Sequence, residues 1–264
     1  YEVARLAAGG AMAAVDAAVA GVARRSFVLY RPPGHHAVRD RGMGYCLFNN
    51  VAIAARHAQN AHGIERVLIV DWDVHHGNGT QEAFWDDPSV LFVSVHQEGL
   101  YPAGSGGLDE VGEGAGRGFT VNVPLPAGSG DAAYAAAFER VVVPAARAFR
   151  PELVLVSAGQ DAGAMDQHGR MCVTTEGYRR LTEAMVGVAD EFAEGRLVAL
   201  QEGGYSEIYG PYCTLAIVET LAGERTSLPE PLDPARLAAL PPSRGVGRDA
   251  EAAIAAAEER RGRL

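Results

Sequence analysis

Val-Leu-Ile-Val-Asp-Trp-Asp-Val-His-His-Gly-Asn-Gly, residues 67 to 79, begins as an unbroken apolar run and continues as a group of acids and histidines. An apolar run of this length is typical of a strand that is buried on both faces, as in a parallel sheet. Similar runs alternate with alanine-rich stretches along the chain. The sequence therefore predicts a single α/β domain whose mostly parallel central sheet is flanked by helices.

The predicted strands and helices alternate from one end of the chain to the other. We expect strands at residues 27–30, 67–71, 90–96, 121–123, 153–158 and 197–201. We expect helices at residues 2–20, 50–61, 79–85, 131–148, 175–194, 212–222 and 249–261. A sheet of this type binds its ligand at the carboxyl ends of its strands, so the functional residues should lie there.

The composition limits the classes of function. The 264 residues carry a net charge of −10, which argues against a nucleic-acid partner and favours a basic one. No apolar run approaches the roughly 20 residues of a membrane span, so no membrane partner is expected. Cys46, Cys172 and Cys213 are widely spaced, which predicts reduced thiols in a cytoplasmic protein. A homo-oligomer is left open.

Asp71, Asp73 and His75 follow the first apolar run at intervals of two residues. On a strand, side chains with this spacing share one face. Burying two carboxylates is costly unless a charge compensates them, and a divalent cation is the usual compensation. The alternative is a strand end with solvated polar residues. The spacing alone favours a metal site with three equivalent ligands.

Further polar groups follow other predicted strands. Arg-Pro-Pro-Gly-His-His occupies residues 31–36, Asp161 follows the strand at 153–158, and Tyr205 follows the strand at 197–201. Taken singly, they are explained equally well as loop histidines, a capping aspartate and a packed tyrosine. Because they lie at successive strand ends of one sheet, we expect them to form one site with the acids after residue 70.

Five motifs together resemble a known family. RPPGHHA, GMGYCLFNN, DWDVHHGNGT, SAGQDA and QEGGY, in this order and spacing, are similar to the zinc-dependent histone deacetylases. The similarity is greatest to the class II branch and its bacterial histone deacetylase-like amidohydrolases, and it runs from about residue 2 to residue 225. It implies the arginase/deacetylase fold and hydrolysis of the amide of acetyl-lysine or a related acylated amine. Zn²⁺ is the implied cofactor, although Fe²⁺ also accepts two aspartates and a histidine.

The resemblance assigns a role to each residue that matches a family motif. The implied zinc ligands are Asp73, His75 and Asp161. The implied catalytic residues are the paired histidines, the side chain behind each and a tyrosine: His35, His36, Asp71, Asn78 and Tyr205. The implied walls and rim of the acyl-lysine tunnel are Gly44, Tyr45, Tyr101 and His168.

The resemblance also implies structural monovalent cations, K⁺ or Na⁺. The first site would use carbonyl groups of the metal-binding segment and the neighbouring strand: Asp71, Asp73, His75, Ser94 and Val95. A second would lie near Phe84, Asp87, Val90 and Phe119.

Three features depart from the family pattern. The chain begins at a helix that lies inside a typical family domain, so we expect the N-terminal strand and rim loop to be missing. Gln160 replaces the usual Phe before Asp161. His168 stands where polyamine-selective members carry Glu, so polyamine specificity is not expected. We predict a truncated catalytic domain at residues 1–226. Residues 227–264, a segment with five prolines and a helix, would belong to the same domain.

Two other functions are the alternatives to this one. An arginase-like hydrolase with two metals needs acids two residues beyond His75 and Asp161, where this chain has Gly77 and Gly163. A catalytically weak protein that binds acyl-lysine or has a regulatory role is the other alternative. The presence of Tyr205 with both histidines and all three implied ligands argues against it.

Overall fold

Six parallel strands form the central sheet. The computed structural model describes residues 1–233, 235 and 246–261. The strands are β1 (Arg25–Val28), β2 (Val67–Asp71), β3 (Val90–Gln97), β4 (Thr120–Leu125), β5 (Leu153–Ala158) and β6 (Leu197–Gln201). Their order across the sheet is β1-β6-β5-β2-β3-β4, and every neighbouring pair is parallel. The predicted α/β class with a mostly parallel sheet is confirmed.

Helices cover both faces of the sheet. They are α1 (Glu2–Val19), α2 (Asn50–His62), α3 (Asn78–Ala83), α4 (Asp131–Ala137), α5 (Val143–Phe149), α6 (Thr175–Phe192), α7 (Gly210–Ala222) and α8 (Arg248–Arg261). Within β2, Val67 and Ile69 pack in the core under α1 and α2, whereas Leu68 and Val70 pack in the core on the opposite face. Burial of both faces explains why the strand has no polar alternation.

Most predicted bounds differ from the observed ones by at most two residues, and two of the differences have a clear structural cause. Strand β1 begins and ends two residues earlier than predicted, because the chain leaves the sheet after Val28 pairs with Leu200. The helix predicted at residues 131–148 is divided into α4 and α5 by a wider π-type turn at Phe138–Val142. Pro144 follows this turn, and its missing N–H removes a bond that a continuous α-helix would need.

Helix α8 packs on the main domain. Its residues Ala250, Ile254 and Ala257 are buried in the core on the face opposite α1 and α2. Part of the predicted proline-containing segment, residue 234 and residues 236–245, lies outside the described residues. The domain boundary at residue 226 stays a prediction. Among the helices in the described part of the chain, none combines the length and apolarity needed to cross a membrane.

Candidate active site

The sheet order brings the polar groups together at its carboxyl edge. Strands β5 and β6 are neighbours, and β5 also pairs with β2, with Asp71 opposite Ser157. The segments that follow these three strands therefore meet, as expected for a doubly wound sheet. The segment after β1 starts at the sheet edge and reaches across β6 and β5 to residues that follow β2.

Asp73, His75 and Asp161 form a compact cluster in which one ligand atom from each lies within 4.8 Å of the others. Nδ1 of His75 is 2.9 Å from Oδ1 of Asp73 and 3.2 Å from Oδ2 of Asp161. Both aspartates are fully buried. Backbone N–H groups orient the carboxylates: Gly203 donates to Asp73 at 2.7 Å, and Val74 donates to Asp161 at 2.9 Å.

The charges of this cluster favour a cation. Burial, followed by repulsion from Asp73, raises the pKa of Asp161 to about 7. Burial lowers the pKa of His75, but hydrogen bonds and charge from Asp161 and Asp73 outweigh it and raise that pKa to about 10. Within the described part of the chain, Oδ2 of Asp161 has no hydrogen-bond partner although it is buried. Two carboxylates, an imidazole and an unpartnered oxygen fit a divalent metal ion.

Two stacked histidines lie beside the cluster and have different supports. The His35 and His36 rings are 4.0 Å apart. Nδ1 of His35 is 2.9 Å from the Asp71 carboxylate, and Nδ1 of His36 is 2.8 Å from Oδ1 of Asn78. One ring is therefore supported by a charged oxygen and the other by a neutral amide.

The surroundings of the two rings shift their pKa values in opposite directions. Burial lowers the pKa of His35, but Asp73 and Asp71 outweigh it and raise that pKa well above its usual value. Burial and the charge of His35 together hold the pKa of His36 well below its usual value. His35 is the cation of the pair and His36 is the neutral imidazole. The spacing placed Asp71 with the metal ligands, but its contacts place it with His35 instead.

Glu202 holds the histidine-bearing segment in place, a role that sequence reasoning missed. Its side chain is fully buried. Oε2 accepts the backbone N–H of Gly34 at 2.7 Å and that of His35 at 3.1 Å, and Oε1 accepts the Ser157 hydroxyl at 3.3 Å. The one indication in the sequence that Glu202 has a role is its position, as a charged residue directly after an apolar strand. The sequence does not show that its partners lie about 168 residues away.

Aromatic side chains gather above the histidines. The Tyr101 ring meets the His36 ring edge to face at a centroid distance of 4.9 Å. His168 stacks on Tyr205 at 4.0 Å, and Tyr45 lies 6.3 Å from Tyr205. Gly44 has a φ of +53°, and a Cβ there would lie 2.2 Å from Cδ2 of His36. The structure thus brings all four residues of the predicted tunnel wall and rim to the site.

Tyr205 combines a fixed backbone with a protonated hydroxyl. The carboxylate of Asp166 accepts the backbone N–H of Tyr205 at 2.6 Å. Burial, together with the charges of Asp73 and Asp161, raises the pKa of Tyr205. The hydroxyl therefore keeps its proton and can donate a hydrogen bond.

The remaining predicted positions can also be located. Ser94 lies on β3 directly opposite Asp71, with Val95 next to it, so the residues of the predicted monovalent site are neighbours. Gly77 occupies the position where an arginase-like second metal needs an acid, and a Cβ there would lie 2.2 Å from Oδ2 of Asp71. That position has no room for a metal-binding side chain.

Comparison with known proteins identifies the family. The histone deacetylase domain model matches residues 1–221. The chain is 48% identical over 232 residues to the histone deacetylase-like amidohydrolase of Pseudomonas aeruginosa, a match that covers 88% of the chain and 61% of that protein. It is 49% identical over 207 residues to the chloroplastic histone deacetylase 14 of Arabidopsis thaliana, covering 76% and 48%. The protein belongs to the histone deacetylase family.

A solved structure agrees with this assignment. The crystal structure of the HDA15 HD domain superimposes with a TM-score of 0.87 at 39% sequence identity. The match covers 100% of this chain and 68% of that one. The chain thus spans roughly half to two thirds of the length of these relatives.

Proposed function

We propose that the protein is a zinc-dependent amidohydrolase that cleaves the amide of an acetylated lysine side chain or of a related acylated amine. The observation that carries this proposal is the position of the Asp73–His75–Asp161 cluster beside a neutral His36. A cation site next to a neutral imidazole provides the Lewis acid and the general base that support amide hydrolysis by water. Family membership supports the same activity.

The cluster would hold the metal through Asp73, His75 and Asp161. Its two carboxylates would balance the charge of a divalent ion, and three protein ligands leave a coordination position open. A bound Zn²⁺ would supply Lewis acidity toward the carbonyl oxygen and toward water. The Fe²⁺ ion suits the same ligands and is the alternative metal. We also propose the K⁺ or Na⁺ site at the carbonyl groups around Asp71 and Ser94.

His36 is placed to act as general base and then as general acid. Its Nδ1 is occupied by Asn78, so Nε2 is the nitrogen free to accept a proton from water and pass it to the leaving amine. His35, whose pKa is raised by the charges of Asp73 and Asp71, would stabilise negative charge on the reacting carbonyl. Tyr205 would donate a hydrogen bond to the same oxyanion, and loss of one such donor typically costs about 10²–10³ in rate.

The walls of the site fit a long aliphatic stem. Tyr45 and Tyr101 are both partly exposed, and Tyr101 touches the His36 ring. Aromatic faces at these positions would hold the methylene groups of lysine on their way to the metal. We place the chain in the class II branch because Asn78, not an acid, supports His36. A cytoplasmic location is proposed on the three free thiols.

The test uses the full-length, metal-loaded protein with acetyl-lysine and trifluoroacetyl-lysine peptides, acetylpolyamines and small acetamides. Tyr205→Phe and His36→Ala should lose most turnover and keep the metal, whereas Asp161→Ala should lose the metal. Tyr212→Phe on α7 is the matched control and should retain wild-type turnover. A protein that binds zinc and cleaves none of these substrates would instead be an acyl-lysine-binding regulator.

A further inference from the structure

A second cluster of side chains that can bind a metal lies between α1 and α2. Asp16 belongs to α1, and His57 and His62 belong to α2. Nε2 of His57 and Nε2 of His62 each lie 2.6 Å from the same atom, Oδ1 of Asp16. Over the described residues, this group and the active-site cluster are the two sets in which three such ligand atoms come within 4.8 Å of one another.

The convergence does not follow from helix geometry. Side chains five residues apart project about 140° from each other around an α-helix, so His57 and His62 have no inherent reason to meet. Their rings nevertheless approach to 5.4 Å and lie nearly perpendicular, at 88°. Both rings point their Nε2 atoms at the same oxygen of Asp16.

The cluster is both held and accessible. The exposed fractions are 18% for the His57 side chain, 24% for His62 and 52% for Asp16. Hydrogen bonds from His62 and then His57 lower the pKa of Asp16, so its carboxylate is ionised. An ion from solvent can therefore reach three converging ligand atoms, which exchange their mutual hydrogen bonds for bonds to the metal, with further positions open to water.

We propose that Asp16, His57 and His62 bind a divalent transition-metal ion at a site separate from the active site. Two imidazoles and a carboxylate suit Zn²⁺, Ni²⁺ and Cu²⁺, whereas Mg²⁺ and Ca²⁺ prefer oxygen ligands alone. The ion links α1 to α2, and both helices cover the same face of the sheet. Binding to the folded chain alone raises its stability in proportion to the logarithm of the metal concentration.

The competing explanation is that the two imidazoles only donate hydrogen bonds to Asp16. Replacement of a histidine by Gln separates the two explanations, because the Gln amide can still donate a hydrogen bond to the carboxylate but is not a ligand for these metals. The variants are His57→Gln and His62→Gln. Asn60→Gln, at an exposed position of the same helix, is the matched control.

The experiment uses the full chain with its active-site metal loaded and excess metal removed. Zn²⁺ is then added and followed by calorimetry and thermal unfolding, and Cu²⁺ is added in a parallel sample for EPR. Wild type and Asn60→Gln should bind one further equivalent. At about 100 times the dissociation constant, their unfolding midpoint should rise by roughly 5–10 °C. The Cu²⁺ spectrum should show coupling to two nitrogens.

Both Gln variants should lose the further equivalent, the midpoint shift and the two-nitrogen spectrum, while amide hydrolysis stays at the wild-type rate. Mg²⁺ should give no binding in any variant. The proposal is overturned if wild type binds no further equivalent, or if either Gln variant binds it as wild type does. Because the readouts are binding and unfolding, they stand whether or not the proposed hydrolase activity is found.

Discussion

The position of the catalytic histidines should depend on one buried carboxylate. Glu202 is fully buried and accepts the backbone N–H groups of Gly34 and His35 through one oxygen, at 2.7 and 3.1 Å. Substitution at this residue should therefore act on the placement of His35 and His36, and should lower kcat with little change in KM.

The size of the effect follows from the two hydrogen bonds. A hydrogen bond to a charged group contributes about 1.5–3 kcal/mol, and a neutral one about 0.5–1.5 kcal/mol. Glu202→Gln keeps one acceptor oxygen and removes the charge that Glu202 carries above its raised pKa of about 7, so at higher pH it should weaken the pair of bonds by about 2–3 kcal/mol. If half or more of this loss appears in the transition state, kcat falls about 10- to 100-fold.

Glu202→Ala should have a larger effect of a different kind. It leaves two buried N–H groups without an acceptor, at about 1–3 kcal/mol each, so the unfolding free energy should fall by roughly 2–6 kcal/mol. Ser157→Ala is the control, because it removes only the longer contact of 3.3 Å to the other oxygen. Its kcat should stay within about threefold of wild type.

Steady-state kinetics and urea unfolding of the metal-loaded variants separate these effects. The positioning role is refuted if Glu202→Gln retains kcat within about threefold. It is also refuted if Glu202→Ala loses stability while its folded fraction turns over at the wild-type rate, since Glu202 would then be structural only.

Three further predictions concern the same site. Gly44→Ala should reduce kcat at least about tenfold, because its Cβ would meet His36; Gly99→Ala, with φ +66° and no neighbour within 4 Å, carries the same backbone cost and should keep kcat. Burial raises the pKa of Glu202 from 4.5 to about 7. The folded state therefore binds the extra proton between those values, and the contribution of this group to the unfolding free energy should fall as pH rises through that interval. Urea unfolding at a series of pH values should show this dependence on pH in wild type and a weaker one in Glu202→Gln. In protein already freed of excess metal, removal of the active-site metal by a chelator should lower the thermal unfolding midpoint of wild type, because Asp73 and Asp161 then repel each other without compensation, and should leave Asp161→Ala unchanged.

Local sequence pattern was sufficient for most of the fold. The apolar runs that became β2, β5 and β6 were each predicted with the observed limits, because strands buried on both faces have an unambiguous composition. The limits of β1 were wrong because its pairing with β6 runs only from Arg25 with Leu197 to Val28 with Leu200, and β6 is a distant segment of the chain. The break between α4 and α5 was missed because a single proline in an alanine-rich helix signals a kink only weakly.

The candidate site shows a similar division. The order of motifs placed Asp161 and Tyr205 beside the acids after β2, because strand ends of one parallel sheet must meet at one edge. Side-chain contacts between distant segments could not be predicted in this way. The support of His35 by Glu202 and the meeting of His57 with His62 at Asp16 depend on side-chain directions that residue spacing does not encode.

Four fully buried carboxylates at one sheet edge, Asp71, Asp73, Asp161 and Glu202, explain the arrangement of the whole site. Each buried charge needs its own compensation. Glu202 has two backbone N–H groups, and Asp71 has the cationic His35. Asp73 and Asp161 face the same nitrogen of His75, whose single N–H is hydrogen-bonded to Asp73. Among the described residues Oδ2 of Asp161 has no hydrogen-bond partner, so the pair needs a further cation. The four acids therefore divide into two that position the histidines and two that require a metal, so their substitutions should separate turnover from metal binding.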